Sequence, residues 1–502
     1  MTHVYGQQFR VFAYNAKRGA VALGAALTLC LISACSVGSD GPAEESGGSA
    51  NSAGAGPTGP TIGTSFELRP EWDVASCAKA GIVDVNLGNS AESFVRAAYC
   101  QVNGSPASEA VVTEWAGKLR TLSYVRRIDV VLSFCQAAAR SCTLSYSDPW
   151  TVQSALSTPC TRSGTRELGA VLMFFNECPG GTNCQMDWAN THAAGMSSLS
   201  PLLEFPPAAS GVYAPKNPGF WRREMLDAAY AGVQFFLLNV YGPDLSSSVD
   251  PLGQLSKALD DTGNVVKIGL FDDTSSWGRP GAGVFSTRPD FAAPTQAAQT
   301  IYDAKWKPFF ARVPKASWYL FHERPLIYFY NSGSLYNSKS PQPDYARVGG
   351  AATIRALREH FMADFGVSPF IAVDHGFLGD PDMLSAADGT FSWDTFRIND
   401  ISLQTVKDVQ LAHFMVKWDA LGRDNLGKVA KIATATDRII KDDTLLKQRL
   451  DQAKSSQITV IATWNDLGEG TGVARNYDYF AHGEWQPPDV FLKDLRAWQC
   501  SN

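Results

Sequence analysis

The chain has 502 residues, 43 Lys and Arg against 49 Asp and Glu for a formal charge of −6, and 45% apolar residues. That apolar share excludes wholesale disorder. With no basic block beyond the extreme N-terminus, nothing matches a phosphate backbone, so no nucleic acid is expected as a partner. The length exceeds one small domain and suits an α/β barrel of about 250 residues or more with additions.

Arg10, Lys17 and Arg18 precede the apolar run Ala20 to Ile32, too short to span a membrane and built like the h-region of a secretory signal. It ends Leu31-Ile32-Ser33-Ala34-Cys35, which resembles the bacterial lipobox. The resemblance implies a signal peptide over 1–34, lipidation of Cys35, and a chain exported and lipid-anchored to the bacterial cell envelope. Ser36 rather than Asp follows, the default for outer-membrane sorting in a Gram-negative cell. An ordinary signal peptide with Cys35 incidental is the plainer alternative. Residues 35–65 are rich in Gly, Ser, Ala and Pro, lack large apolar residues, and read as a flexible linker.

Of ten cysteines, Cys30 lies in the signal and Cys35 at the lipobox, leaving an even set that fits disulfides in an oxidising compartment. Connectivity is not legible, although Cys178 and Cys184 flank a short Pro-Gly-Gly loop. No Cys-x-x-Cys spacing occurs, which weakens a structural zinc reading.

Residues 66–160 read as a small helical domain. Phe94, Val95, Ala98 and Tyr99, then Val111, Val112, Trp115 and Leu119, then Ile128, Val131, Leu132 and Cys135 recur at helical spacing. The runs Ser93 to Tyr99 and Arg127 to Phe134, with Trp115 between them, resemble domain-of-unknown-function family 4214 of bacterial surface proteins, which implies an accessory or interaction role. A helical cap packed on the main domain is the bland alternative.

From 166 to 502, apolar β-branched or aromatic runs alternate with helical segments, the pattern of parallel strands behind crossover helices. Candidate strands are Ala170 to Phe175, Gln234 to Val240, Val266 to Phe271, Leu326 to Tyr330, Phe370 to Val373, Thr390 to Trp393, His413 to Lys417 and Thr459 to Trp464. Helices are expected at Ile354 to Phe365, stopped by Gly366, and at Thr444 to Ala453 behind an Asp443 cap. The fold class is therefore α/β, a (β/α)8 TIM barrel preceded by a small disulfide-containing α-helical domain. Neither a Gly-x-Gly-x-x-Gly turn after the first strand nor a P-loop occurs, which removes the two commonest nucleotide readings.

Barrels place chemistry at the carboxyl ends of their strands, and here those ends are polar. They carry Asn239 and Tyr241, Asp272, Asp273 and Trp277, Asp374 and His375, Trp393 and Asp394, and the run Thr463-Trp464-Asn465-Asp466-Leu467-Gly468-Glu469-Gly470-Thr471. Asp466 and Glu469, three residues apart on a glycine-containing turn, are the raw material for glycoside hydrolysis, with one carboxyl protonating the leaving oxygen and another acting as base or nucleophile. A solvated Asx-type turn explains the same spacing.

This run resembles the Asn-Glu-Trp-x-Glu-Gly-Thr signature on the final strand of the endo-α-mannosidase-like (glycoside hydrolase family 99/71-like) clan. Trp221 to Gly242 is similar to the helix that leads into the second strand of those barrels. The stretch from Leu168 to Gln499, including Arg475-Asn476-Tyr477-Asp478-Tyr479, most resembles an uncharacterised bacterial barrel family of that clan. The resemblance implies a retaining mechanism in which Asp466 activates the sugar 2-hydroxyl and Glu469 is the acid/base. The pattern departs at Asp466, one methylene shorter than glutamate, and at Leu467, where tryptophan is usual.

The expected function is a surface-anchored glycoside hydrolase-like protein that cleaves α-linked external polysaccharide or oligosaccharide, with Glu469 and Asp466 catalytic. Asn465, Trp464, Asp272, Asp374, His375 and Asn239 are expected to bind sugar, and Tyr241, Trp277 and Trp393 to stack on it. No metal and no other cofactor are expected. The alternatives are a noncatalytic carbohydrate-binding surface lipoprotein and a structural surface protein.

Overall fold

In a computed structural model the described residues are 67–68, 90–121, 127–139, 144–145, 166–173, 218–240, 251–274, 288–331, 335–339, 348–393, 401–416, 418–419, 438–439, 443–466, 471–475, 480–481, 484–486 and 489–500. All belong to the unit Pro57–Asn502. The signal peptide, Cys35 and the linker up to 65, the Cys178–Cys184 loop, Tyr241, Trp277, Asp394 and Glu469 lie outside them.

The helical segment forms as its spacing predicts: α1 (Ala91–Asn103), α2 (Glu109–Thr121) and α3 (Arg127–Ala137). Ser90 caps α1 by accepting from Ser93 N at 3.2 Å, and Gly104 ends it in the left-handed conformation at φ 68°. Phe94, Val95, Ala98, Val112, Ala116, Val131 and Phe134 are buried between the helices. Tyr99 and Trp115 meet the Phe134 ring edge-on at 5.2 and 5.6 Å. Cys100, Cys135 and Cys500 are disulfide-bonded.

Eight parallel strands follow: β1 (Glu167–Met173), β2 (Phe235–Val240), β3 (Lys267–Asp273), β4 (Arg324–Tyr330), β5 (Phe370–Asp374), β6 (Gly389–Phe391), β7 (Val409–Phe414) and β8 (Ile458–Ile461). They are hydrogen-bonded in the order β7-β8-β1-β2-β3-β4-β5-β6, with Ser402–Val406 antiparallel on β7 and Leu320–Phe321 antiparallel on β4 completing a 10-stranded sheet. Among the described residues no ladder joins β6 to β7, yet the seam is narrow. His413 Nδ1 donates to Ser392 O at 3.0 Å, Ser392 N donates to Ser402 Oγ at 3.1 Å, and Leu411 lies 2.4 Å from where a Cβ on Gly389 would stand. The result is a mixed α/β fold around a nearly closed barrel-like sheet.

Strand alternation divides the core in two. Val171, Leu237, Phe271, Tyr328, Ala372, Phe391, Leu411 and Val460 fill the barrel interior, while Leu172, Leu238, Leu270, Phe329, Val373, Ala412 and Ile461 face the helices. The helix layer comprises α4 (Pro218–Ala231), α5 (Pro251–Asp261), α6 (Pro294–Ile301), α7 (Lys307–Arg312), α8 (Gly350–Phe365), α9 (Asp443–Gln452) and α10 (Val490–Gln499). Gly366 stops α8 at φ 72°, as expected. Asp443, expected as a cap, instead lies in the first turn of α9 and accepts from Lys447 Nζ at 3.1 Å. Leu320–Phe321 closes the amino-terminal end of the barrel, where Tyr319 stacks on Phe235 at 3.7 Å.

Candidate active site at the carboxyl end of the barrel

The two-residue alternation that sends Phe235, Leu237, Phe271 and Tyr328 inward carries Asn239, Asp273 and Tyr330 inward as well, at the carboxyl ends of β2, β3 and β4. Asn239 is 1% exposed and its Nδ2 donates to Asp273 Oδ2 at 3.3 Å. Its Oδ1 is buried with no hydrogen-bond partner. Two strands along from β3, Asp374 ends β5, where it accepts from Gly376 N at 2.9 Å and from Trp393 N at 3.4 Å. Trp393 packs on Tyr330, Phe271 and His413 with ring centroids 5.0, 5.1 and 5.6 Å apart. The interior thus brings together three of the predicted residues, Asn239, Asp374 and Trp393.

His375 follows Asp374 and is half-buried, and burial pushes its imidazole below the usual histidine range. His413 is fully buried within the aromatic wall, and desolvation drives it down to about 3. It is therefore neutral, and because a carbonyl cannot donate, the hydrogen lies on Nδ1 toward Ser392 O. The Nε2 atoms of both histidines are buried with no hydrogen-bond partner. Burial also pushes the Tyr328 phenol well above its ordinary value.

Three predicted sugar ligands are placed elsewhere. Asp272 has the opposite strand parity from Asp273 and points into the helix layer, where it is 0% exposed. Its oxygens accept from Lys305 Nζ at 2.9 Å and Trp306 Nε1 at 2.7 Å, two consecutive residues presented by the wide π turn Tyr302–Trp306 between α6 and α7. Lys305 also donates to Val240 O and Asp273 O, so Asp272 serves a buried polar knot that ties this helix to β2 and β3. Trp464 likewise turns outward, its ring against Phe236 at 5.2 Å and its Nε1 donating to Glu224 of α4. Asn465, 0% exposed, uses both ends of its amide on the Met173 backbone, accepting from N at 2.7 Å and donating to O at 3.0 Å. These residues brace the barrel rim and are closed to a ligand.

Asp466 is 5% exposed. Its N donates to Thr463 Oγ1 at 2.9 Å and its carbonyl accepts from Thr471 N at 3.1 Å, while the two threonine hydroxyls are 2.8 Å apart. The chain is thereby pinned on both sides of residues 467–470. Among the described residues no group of three or more His, Cys, Asp or Glu is arranged to hold a metal ion.

Asp273, Tyr330 and His413 are not among the site residues expected from the sequence, although Asp273 and His413 carry a signal there. Counting by twos from Phe271 selects Asp273 over Asp272. The apolar pattern starts the strand at His413, whereas it begins at Val409 after the turn at Lys407 and ends at Phe414, which puts His413 near the functional end. Trp418 and Asp419, beyond that strand, pair with Arg438–Ile439.

The model of a domain of unknown function, DUF5010, matches residues 207–496, beginning after β1. No curated protein matches the chain. Among solved structures the chain is similar to the GH99 endo-alpha-mannosidase from Bacteroides thetaiotaomicron in complex with BIS-TRIS-Propane, at 12% identity, with 66% of this chain and 95% of that chain covered and a TM-score of 0.43. It is similar to the same enzyme without that ligand in its description at 12% identity, with 66% and 96% covered and a TM-score of 0.42. A glycoside hydrolase-like protein aligns at 14% identity over 70% of this chain and 100% of its own, with a TM-score of 0.41.

Proposed function

The chain belongs to the DUF5010 family, and on that premise we propose that it is a glycoside hydrolase-like protein acting on α-linked external polysaccharide or oligosaccharide. The observation that carries this reading is the interior of the barrel at its carboxyl end. Asn239, Asp273 and Asp374 offer carboxylate and amide groups suited to sugar hydroxyls, and Trp393 with Tyr330 offers aromatic faces beside them. Asp466, at the end of the last strand, is the base that takes the proton of the sugar 2-hydroxyl. As that oxygen attacks the anomeric carbon and displaces the leaving group, Glu469 protonates the departing oxygen; water, losing a proton to Glu469, then opens the 1,2-anhydro sugar while O2 recovers its proton from Asp466, so that two inversions retain the anomeric configuration. Tyr241, Trp277 and His375 complete the sugar contacts in this reading.

The same proposal extends to the rest of the chain. Cys35 is the lipidation site that anchors the exported chain to the bacterial cell envelope. Residues 35–65 are the leash, and the disulfide-containing helical domain over 66–160 is an accessory or interaction module. Among the described residues no helix is long and apolar enough to cross a membrane.

One observation favours a second reading, a noncatalytic carbohydrate-binding protein. The backbone of Asp466 is pinned at both N and O, so the carboxyl on its shorter arm has little freedom to make up the missing methylene. Product release from a panel of α-linked mannans and glucans by the intact chain, beside Glu469→Gln and Asp466→Asn, separates the two. The enzyme reading expects turnover that each substitution lowers by about 10²- to 10⁴-fold. Glycan binding without turnover, unaffected by either substitution, establishes the binder.

A further inference from the structure

The helical part of the motif Trp221 to Gly242 and Arg475, which opens the motif Arg475 to Tyr479, have no role in the chemistry outlined above, and the structure joins them. Beyond β8 the chain runs out through Thr463 to Asp466 and returns through Thr471 to Arg475. The return leg is fastened to the outgoing one: Val473 N donates to Trp464 O at 2.9 Å, and Ala474 N donates to the same oxygen at 2.8 Å. Both legs then attach to α4. Trp464 Nε1 donates to Glu224, while Arg475 grips Asp227 in a two-pronged ion pair, Nε to Oδ2 at 2.7 Å and Nη2 to Oδ1 at 2.8 Å. Glu224 and Asp227 are three residues apart, hence on one face of the helix. The Arg475 and Asp227 side chains are 2% and 5% exposed.

We infer that Asp227 and Arg475 are positioning residues that set where the loop carrying Asp466 stands relative to the barrel axis, an inference that rests on the hydrolase reading above. An apolar contact would join helix to loop equally firmly, but it is non-directional. A buried planar guanidinium on a carboxylate fixes both distance and orientation, and it is strongly disfavoured once either partner is lost. Because the pair holds the return leg and the Glu224 contact holds the outgoing leg, Asp466 is fixed from both sides. Carboxylates that act in concert need that control to within about half an ångström.

The test uses the intact chain with Asp227→Asn, Asp227→Glu and Arg475→Lys. Hydrogen exchange at the Thr471, Val473 and Ala474 amides is expected to quicken by about tenfold or more in Asp227→Asn and Arg475→Lys, with the β8 amides unchanged. On the glycan the wild type cleaves, kcat is expected to fall by about tenfold or more with KM within about twofold, and Asp227→Glu to recover part of the loss. Unchanged exchange at those three amides overturns the inference. So does faster exchange across the whole barrel, which marks a fold brace, or an unchanged kcat per folded molecule in a loosened loop. A wild type inactive on every glycan defeats the hydrolase reading instead, and the three amides then decide the clamp alone.

Discussion

His413 shows how much one buried ring can couple to pH. Its folded form is neutral, and its affinity for a proton is pushed down to about 3 against an ordinary 6.5. The unfolded chain therefore binds the proton first, so the stability is fully present above about pH 6.5 and is lost as pH falls toward 3, at up to about 1.4 kcal/mol per unit. In His413→Gln the slope of unfolding free energy between pH 7 and pH 4 should be shallower than in wild type. Equal slopes in urea titrations of the two proteins would remove His413 as the cause. Lys305 makes the complementary case. Lys305→Met strands the Asp272 carboxylate in the helix layer and should cost about 3 to 5 kcal/mol, a penalty that Asp272→Leu in the same molecule largely relieves. If Asp272 bound sugar instead, Asp272→Asn would raise KM and leave the unfolding midpoint in place.

Among elements, the strands are legible for a simple reason and the barrel interior for a subtler one. A run such as Phe235 to Val240 is buried on both faces, so it reads as continuous apolar sequence, whereas Val409–Phe414, with Gln410 and His413 in it, does not, and its expected position is displaced. What the run does not announce is which residues fill the interior. Gly169 and Gly269 occupy interior positions opposite large neighbours: a Cβ at Gly169 would stand 2.2 Å from the Phe235 ring, and one at Gly269 would stand 2.7 Å from Leu237. Gly169→Ala is therefore expected to destabilise by about 1 to 3 kcal/mol, and Phe235→Leu to restore part of that loss. Thermal unfolding of the single and double variants checks this, and additive losses would show that the two side chains do not share the space.

At the scale of the whole molecule, the parallel strands β1 to β6 stand beside their neighbours in chain order, with β8 next to β1. A barrel needs every strand to contribute its carboxyl end to one mouth, and that geometry is what gathers Asn239, Asp374 and Trp393 from segments far apart in sequence. The candidate acids are separable at this scale too. If Glu469→Gln abolishes turnover while the unfolding midpoint stays within a few degrees of wild type, the loss belongs to chemistry and not to the fold.

The sequence by itself determined the α/β class, the α1–α3 segment, the approximate place of most parallel strands and the region in which polar residues gather, because each depends on local periodicity and on chain order. Only the tertiary structure decided which of two adjacent aspartates faces the axis, and that Trp464 and Asn465 brace the rim. It alone showed that His413 belongs to the inner wall and that Arg475 meets Asp227 across 248 residues. The physical reason is common to all four. A polar side chain at a strand end satisfies its hydrogen bonds with whatever the packing brings near, and those partners come from other strands and from the helix layer, where no local pattern records them.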